Sequence, residues 1–315
     1  MGSVLHVLLP GRAKLETTEG FADWLARGSH LPAAIPGYLA ALAEHFRWPR
    51  GPLPAAALIR QSVAGDAGTS LWLSADPAWV QPELNGARLL ACGNLGLSVA
   101  DAHGLVAALA ETFEAEGMEL RVGDAQHWQV RLPAYVEVPS FPEPEEALGA
   151  DLFEHLPRGE EGRRWRALIN EAQIVLHNHP VNRTRVAHGL PPVNSVWLWG
   201  PGALPEWVET GLTRIYSDDL LEWALGHRAG VDIQPREALV GASSRATGTR
   251  DVAGDAGAAV ALLDLQDVQP SGFAREWWPL IEARLLAGTE IRLAFADGTR
   301  TVLRKRHRLR FWRKA

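Results

Sequence analysis

Residues 169–202 carry the side chains best suited to binding or chemistry in this 315-residue sequence. A helix-like run ends near residue 177, a polar segment follows, and an apolar strand spans 195–199. Arginine, asparagine and histidine side chains donate hydrogen bonds that suit a phosphate or a carboxylate. We therefore predict a polar loop that lines an anion-binding pocket. Its predicted ligand-binding residues are His179, Asn182, Arg183, Arg185 and Asn194. The alternative is that the arginines pair with acidic residues and the asparagines cap turns.

Patterns for a metal ion or an activated nucleophile are sparse. His177 and His179 are two residues apart, so in a helix their side chains would point about 200° apart. No HExxH pattern and no Gly-x-Ser-x-Gly elbow occurs. Cys92 is the only cysteine, which excludes an intramolecular disulfide and a cysteine metal cluster. These patterns assign no catalytic residue, and we predict neither a metal site nor a cofactor.

Acidic residues follow two of the predicted elements. Asp264 and Asp267 come at the end of an apolar strand over 259–265, and Asp218 and Asp219 follow a short strand over 214–217. Strand ends are where sites form in α/β sheets. The alternative is that these aspartates cap loops and helices.

The elements around these residues alternate between apolar strands and amphipathic helices, which predicts an α/β fold. The predicted strands near the chain ends are 3–9, 259–265, 289–296 and 299–304. The longer predicted helices are 98–116, 161–177, 219–229 and 273–287, and a short helix is predicted over 205–212. Residues 70–132 read as two strands, a helix and two further strands, which is an α+β pattern.

Composition narrows the class of protein. Apolar residues make up 47% of the chain and charged residues 22%, as expected for a folded soluble protein. The net charge of −6 argues against a nucleic-acid binder. The first residues have no basic region and too short an apolar run for a signal peptide or a membrane span. We expect a cytoplasmic protein without a membrane partner, and the Gly and Pro content suggests a bacterial source.

The last sixteen residues are strongly basic and contain no acidic residue. This tail indicates either a patch for an acidic partner, nucleic acid or lipid, or an edge strand kept soluble by its charge. The basic residues are Arg300, Arg304, Lys305, Arg306, Arg308, Arg310, Arg313 and Lys314.

Residues 170–202 resemble a segment of the cofactor-independent phosphoglycerate mutases of the archaeal type. The similarity is carried by NEAQ at 170–173, HPVNRTR at 179–185 and GLPPVNSVWLWGPG at 189–202. Over most of its length the chain resembles more closely a proteobacterial family of phosphoglycerate-mutase-like, regulator-of-pathogenicity-factors type regulatory proteins. The matching pieces are ADPAW at 75–79, DLFEHLPRG at 151–159, YSDDL at 216–220 and RFWRK at 310–314.

The resemblance implies an alkaline-phosphatase-like α/β core interrupted by an inserted α+β domain. The core would consist of residues 1–69 and of residues 205–315 with the basic tail. The inserted domain would span 70–204 and contain the segment that recognises phosphoglycerate.

The sequence departs from the mutases at the residues that hold their metal ions. The mutases use two metal ions and a phosphoryl-carrying serine, because the metals stabilise charge on the transferred group. Here the first strand ends in Pro10-Gly11-Arg12, where the family has an Asp-Gly metal ligand. Strand 289–296 is followed by no Asp-His-Ser ligand motif.

We therefore expect a catalytically degenerate, mutase-like regulatory protein. It would bind a small acidic metabolite of the phosphoglycerate type, or a protein partner. One alternative is an active metal-dependent phosphoglycerate mutase or phosphatase. The other is an interaction protein that docks an acidic partner through its basic tail.

Overall fold

A computed structural model describes residues 2–49, 51–84, 86–240 and 259–310. The predicted mixed α/β class is confirmed. The strands are β1 Val4–Leu9, β2 Ser29–His30, β3 Phe46–Arg47, β4 Leu71–Glu83, β5 Gly86–Cys92, β6 Glu119–Val122, β7 Trp128–Leu132, β8 Ser195–Ala203, β9 Glu209–Thr210, β10 Arg214–Tyr216, β11 Asp232–Gln234, β12 Val260–Asp264, β13 Glu290–Phe295 and β14 Arg300–Leu303.

The helices of the described residues follow in the same order. They are α1 Phe21–Arg27, α2 Tyr38–Ala43, α3 Ala55–Ala64, α4 Val99–Glu114, α5 Pro144–Ala147, α6 Leu152–His155, α7 Glu161–Asn178, α8 Pro180–Ala187, α9 Leu220–Ala229, α10 Pro270–Gly272 and α11 Trp278–Ala287. A π-helical turn, Phe273–Trp277, joins α10 to α11, and 3-10 turns span Arg12–Lys14 and Lys305–Leu309. None of the described helices has both the length and the apolarity to cross a membrane.

The chain divides into two units, one formed by residues 1–48 and 207–315 and the other by residues 49–206. Unit 1 contains a seven-stranded sheet in the order β11-β10-β12-β1-β13-β14-β2. The first five strands of that order are parallel, and β14 and β2 are antiparallel to their neighbours. Leu5, Val7 and Leu9 of β1 are buried in the main apolar core, where Phe21 and Trp278 also lie. The parallel centre of the sheet is therefore the part with a continuous apolar core.

The strand order creates a switch point between β10 and β12. From β10 the chain runs through α9 to β11, on the outer side of β10. From β12 it runs through α10 and α11 to β13, on the far side of β1. Because the two connections leave in opposite directions, a crevice opens outside the carboxyl ends of these neighbouring strands.

Unit 2 is built on the long strand β4, which pairs antiparallel with β5, β7 and β8. Strand β4 runs unbroken through Asp76 and Pro77. Two glycines of β8 allow helix α3 to lie close. A Cβ atom at Gly200 would come within 2.8 Å of the Ala55 Cβ, and one at Gly202 within 2.4 Å of the Pro54 Cβ. Gly200 and Gly202 therefore serve backbone packing in unit 2.

Two predicted elements of the opening stretch and its surroundings are wrong. Residues 180–187 form helix α8 where we predicted a polar loop, because Pro180 occupies the first helical turn and His179 caps it. Residues 205–212 contain no helix and instead hold the short strand β9. Phe311, Trp312, Arg313 and Lys314 of the predicted tail lie outside the described residues.

Candidate functional site

The carboxyl ends of β10 and β12 hold an ion cluster centred on Arg236. One guanidinium nitrogen lies 2.6 Å from Asp264 Oδ2, and a second lies 2.6 Å from Asp267 Oδ1. Nε lies 3.7 Å from Asp218 Oδ2. We call this site the acidic crevice, and its members are Asp218, Asp219, Glu222, Arg236, Asp264 and Asp267.

Local structure fixes three of the aspartates of the acidic crevice. Asp264 is the last residue of β12 and is 1% exposed. Asp219 caps α9 by accepting a hydrogen bond from the Glu222 backbone N–H. Asp218 accepts a hydrogen bond from the backbone N–H of Arg236. The alternative that these aspartates cap loops and helices is thus seen for Asp219, and also for Asp264, whose Oδ1 accepts the Gln266 backbone N–H at 3.1 Å while its Oδ2 pairs with Arg236.

Burial raises the pKa of two of the carboxyl groups. Burial raises the pKa of Asp264 to about 6, and the Arg236 guanidinium opposes that rise. Burial, followed by the Asp264 and Asp219 carboxylates, raises the pKa of Glu222 well above its usual value. Glu222 is fully buried, the Tyr38 hydroxyl donates to its Oε1 at 3.5 Å, and a side-chain hydrogen bond with Ser217 opposes the rise in its pKa. The crevice therefore contains five carboxyl groups and one guanidinium.

The acidic crevice does not fit the two metal ions that the mutase resemblance implies. Divalent metals need several oxygen or nitrogen ligands at short distances around an open centre. Here the two best-placed carboxylates, Asp264 and Asp267, are bonded to Arg236. In the part of the chain that the structure describes, no group of three or more histidine, cysteine, aspartate or glutamate side chains is arranged to hold a metal ion.

At the carboxyl ends of β1 and β13, Asp297 is the acid that could bind a metal ion, and its carboxylate is already hydrogen-bonded. After β1, the backbone N–H of Arg12 donates to Asp297 Oδ2 at 2.8 Å. The other carboxylate oxygen of Asp297 accepts hydrogen bonds from the backbone and the hydroxyl of Thr299. Asp297 is exposed, and its two carboxylate oxygens close its own hairpin turn and bind the chain that follows β1.

In unit 2, Asn182 holds backbone segments together. It is 5% exposed, and its Nδ2 donates to the carbonyls of Leu176 and Val193, each at 2.7 Å. Its Oδ1 accepts the Val193 N–H at 2.8 Å. The amide thus ties the end of α7 to the chain that enters β8. These contacts favour a structural function for Asn182 over ligand binding.

Arg185 is also used by the backbone. It is 4% exposed, and its guanidinium donates to the carbonyls of Pro191, Gly96 and Leu95. No acidic residue accepts these bonds, so the guanidinium serves as a hydrogen-bond donor that joins the loop before α4 to the loop after α8. Its donors face backbone oxygens and not solvent.

The Asn194 side chain extends the hydrogen bonding between β8 and β4. Its Oδ1 accepts the Val80 N–H at 2.8 Å, and its Nδ2 donates to the Val80 carbonyl at 2.7 Å. The amide therefore replaces a peptide group at the edge of β4, where β8 begins.

The remaining two predicted residues, His179 and Arg183, lie nearer the surface. His179 is half-buried, and its Nδ1 accepts the Val181 N–H at 3.3 Å as the cap of α8. The Arg183 side chain is exposed on α8 and makes no ion pair or hydrogen bond with the described residues. Asn194 is the one of the five predicted residues that lines the unit 2 cavity described next.

That cavity, which we call the α7 groove, has a volume of about 500 Å³. Polar side chains of α7 face it together with apolar residues of β4, β5 and the chain around α6. Its lining residues are Val80, Pro82, Ala87, Leu152, Leu156, Ile169, Asn170, Gln173, Ile174, His177, Asn178 and Asn194. The sequence signal for this site was the spacing of Asn170, Gln173 and His177, which places them on one face of a helix.

Half of the basic tail is engaged within the described residues. Arg300 pairs with Glu44, Arg304 pairs with Glu290, and Arg310 donates to the carbonyl of Arg27. Lys305, Arg306 and Arg308 are exposed and have no partner in the described part of the chain. The alternative of docking an acidic partner therefore rests on fewer free cations than the sequence suggested.

Comparison with known proteins connects part of the chain to one group of enzymes. The chain is 39% identical over 104 residues to a probable 2,3-bisphosphoglycerate-independent phosphoglycerate mutase of Geobacter sulfurreducens, covering 31% of this chain and 26% of the relative. It is 36% identical over 98 residues to the 2,3-bisphosphoglycerate-independent phosphoglycerate mutase of Methanosarcina mazei, covering 29% and 24%. No family model matches the chain.

The chain is thus similar in sequence to cofactor-independent phosphoglycerate mutases over about 30% of its length. It covers about a quarter of the length of these curated relatives. Among solved structures, the PH0037 protein of Pyrococcus horikoshii aligns with 96% of this chain and 87% of its own, at 13% identity and a TM-score of 0.47. A cofactor-independent phosphoglycerate mutase of Thermoplasma acidophilum aligns with 96% and 90%, at 13% identity and a TM-score of 0.34. Both TM-scores are too low to argue a shared fold.

Proposed function

We propose that this chain is a phosphoglycerate-mutase-like protein that binds a small acidic metabolite of the phosphoglycerate type and acts in regulation, without metal-dependent phosphoryl transfer. One observation carries the proposal. In a chain with partial mutase similarity, the carboxylates at the carboxyl ends of β10 and β12 bind a guanidinium. The regulatory part is motivated by the resemblance to regulator-of-pathogenicity-factors type proteins. The alkaline-phosphatase-like character of the core and the inserted α+β domain belong to the same proposal.

Electrostatics favours the α7 groove over the acidic crevice as the place for an acidic ligand. The crevice carries several carboxylates against the one positive charge of Arg236, so it would repel an anion. The groove is lined by no aspartate or glutamate. At its rim His177 and Asn170 are exposed, and neither side chain has a hydrogen-bond partner among the described residues. These groups can therefore donate to a carboxylate or a phosphate.

Arg183 supplies a further charge for the proposed binding. It follows the groove residues His177 and Asn178 on the next helix, and its guanidinium has no intramolecular partner among the described residues. A free guanidinium is the side chain best matched to a phosphate, because it donates two parallel hydrogen bonds. We therefore assign the recognition of the phosphate group to Arg183 and that of the carboxylate to the groove amides and His177.

Calorimetric titration with 3-phosphoglycerate tests this assignment. We expect saturable binding to the native chain, and binding about tenfold weaker for Arg183→Ala and for His177→Ala, because each change removes a charge-assisted or polar hydrogen bond. Glycerate lacks the phosphate, so it should bind the native chain and the Arg183→Ala variant with similarly low affinity. Arg163→Ala is the matched control, since that arginine is exposed on α7 and has only a long ion pair to Glu160.

Two results would remove the metabolite-binding proposal. One is the absence of any saturable heat with 3-phosphoglycerate for the native chain. The other is binding that is unchanged in Arg183→Ala and His177→Ala, which would place the ligand elsewhere.

A further inference from the structure

The α7 groove is apolar over most of its wall. Four of its lining residues, Val80, Leu152, Leu156 and Ile169, are aliphatic side chains at most 7% exposed. Ile174, which is 58% exposed, lies at the rim. A cavity of about 500 Å³ with an apolar wall and a few polar groups is typical of a site for a small molecule. The groove therefore offers a ligand more apolar than polar contact.

The polar part of the groove is small. The amides of Gln173, Asn178 and Asn194 already make hydrogen bonds inside unit 2. The exposed side chains of His177 and Asn170 have no hydrogen-bond partner among the described residues, so they can donate to a ligand. No aspartate or glutamate lines the groove. These two neighbouring donors suit one anionic group, such as a carboxylate.

The apolar wall has no counterpart in 3-phosphoglycerate. Every carbon atom of that molecule carries an oxygen substituent, so it has no hydrocarbon surface to place against aliphatic side chains. Apolar contact contributes binding free energy in proportion to the apolar area removed from water. The acid that matches the whole groove therefore has a hydrocarbon part as well as a carboxylate.

We propose that the α7 groove binds an amphiphilic carboxylate, with its hydrocarbon chain against the four buried aliphatic side chains and its carboxylate at His177. The groove residues of α7 run from Ile169 to Asn178, which is about 13 Å along a helix. That length accommodates an extended chain such as octanoate. The inference rests on the proposed function for one feature, the recognition of a carboxylate by His177, and it names the class of acid that the groove takes.

Calorimetric titration of the full chain with butyrate, hexanoate and octanoate tests the proposal. We expect one molecule to bind per chain, and the affinity to rise about tenfold with each added pair of methylene groups, because each pair buries further apolar surface. 1-Octanol has the chain without the carboxylate, so it should bind about tenfold more weakly than octanoate. His177→Ala should remove most of that difference and leave the dependence on chain length unchanged.

Ile174→Ser and Val186→Ser form a matched pair of variants. Both side chains are apolar and exposed, at 58% and 59%, so neither change should alter stability appreciably. Ile174 lines the groove, whereas Val186 lies on α8 and does not line it. We expect Ile174→Ser to weaken octanoate binding about fivefold, because it removes apolar contact with the chain, and Val186→Ser to leave it unchanged.

Four results would overturn the proposal. They are an affinity that does not rise with chain length, equal affinities for octanoate and 1-octanol, several octanoate molecules bound per chain with equal strength, and octanoate binding that is unchanged in Ile174→Ser.

The titration with 3-phosphoglycerate separates this proposal from the proposed function. A rise in affinity with chain length, together with no binding of 3-phosphoglycerate, would support the amphiphilic ligand and remove phosphate recognition. Binding of 3-phosphoglycerate without any dependence on chain length would do the reverse.

Discussion

Replacement of Arg185 by alanine is expected to lower the free energy of unfolding by about 3 kcal/mol, because three backbone carbonyls lose a charged donor in a buried environment. Those carbonyls belong to Pro191, Gly96 and Leu95, so the change separates the loop before α4 from the loop after α8. Urea denaturation followed by circular dichroism measures the effect. The expected result is a lower midpoint with an unchanged slope.

Arg183→Ala provides the comparison on the same helix. Arg183 is exposed and has no partner among the described residues, so its replacement should change stability by no more than about 0.5 kcal/mol. A similar loss of stability in both variants, or no loss in Arg185→Ala, would contradict the structural function assigned to Arg185. The two neighbouring arginines are thus separable by experiment into one that holds the fold and one available to a ligand.

The second large effect is expected for Asp264→Asn, which should destabilise the protein by about 3 kcal/mol at pH 7, because removal of one partner strands the charge of the other. Arg236 cannot lose its proton to escape this cost. It retains Asp267 and Asp218, but both are exposed and are screened by water. Urea denaturation of Asp264→Asn beside the exposed control Asp267→Asn measures the difference. Equal stability of the two variants would show that buried Asp264 stabilises the protein no more than exposed Asp267 does.

The pH dependence of stability is expected to distinguish Arg236→Ala from Asp264→Asn. Burial already raises the pKa of Asp264 to about 6, and loss of Arg236 would raise it further. The folded Arg236→Ala variant would then hold a proton that the unfolded chain, with an ordinary aspartate pKa near 4, releases. Its stability should therefore rise as the pH falls from 7 to 5, more steeply than that of the native chain. Asp264→Asn has no group to protonate at this position, so it should lack this gain.

Much of the fold could be predicted from local sequence patterns. The strand predicted over 259–265 is β12, the strand over 289–296 is β13, and the helix over 98–116 is α4 with Ser98 as its cap. Each of these has a clear apolar period and a glycine, proline or capping residue at its ends. Helix α8 has neither a strong apolar face nor a long run, and its polar residues suggested a loop. The sequence feature that indicates this helix is Pro180, which directly follows the capping residue.

The chemistry of the site was less accessible to sequence. Asp264, Asp267 and Asp218 could be marked as acids at strand ends, because each follows an apolar strand. Arg236 could not, since it follows the short strand β11 and reaches these acids only through the parallel pairing of β11 with β10 and of β10 with β12. Pairing between distant segments leaves no local pattern. The bonds of Arg185 to a loop about 90 residues earlier in the chain could not be predicted either, because they also join distant segments.

Phosphorus NMR of the native chain with 3-phosphoglycerate and excess Mn²⁺ measures whether this protein transfers or hydrolyses the phosphate. We expect 3-phosphoglycerate to persist unchanged, because Arg236 occupies the carboxylates of the acidic crevice and the structure describes no metal-binding group among residues 2–49, 51–84, 86–240 and 259–310. A cofactor-independent mutase run in parallel shows that the assay detects turnover. Formation of 2-phosphoglycerate or release of phosphate by the native chain, abolished by a chelator, would show that the protein is an active metal-dependent enzyme.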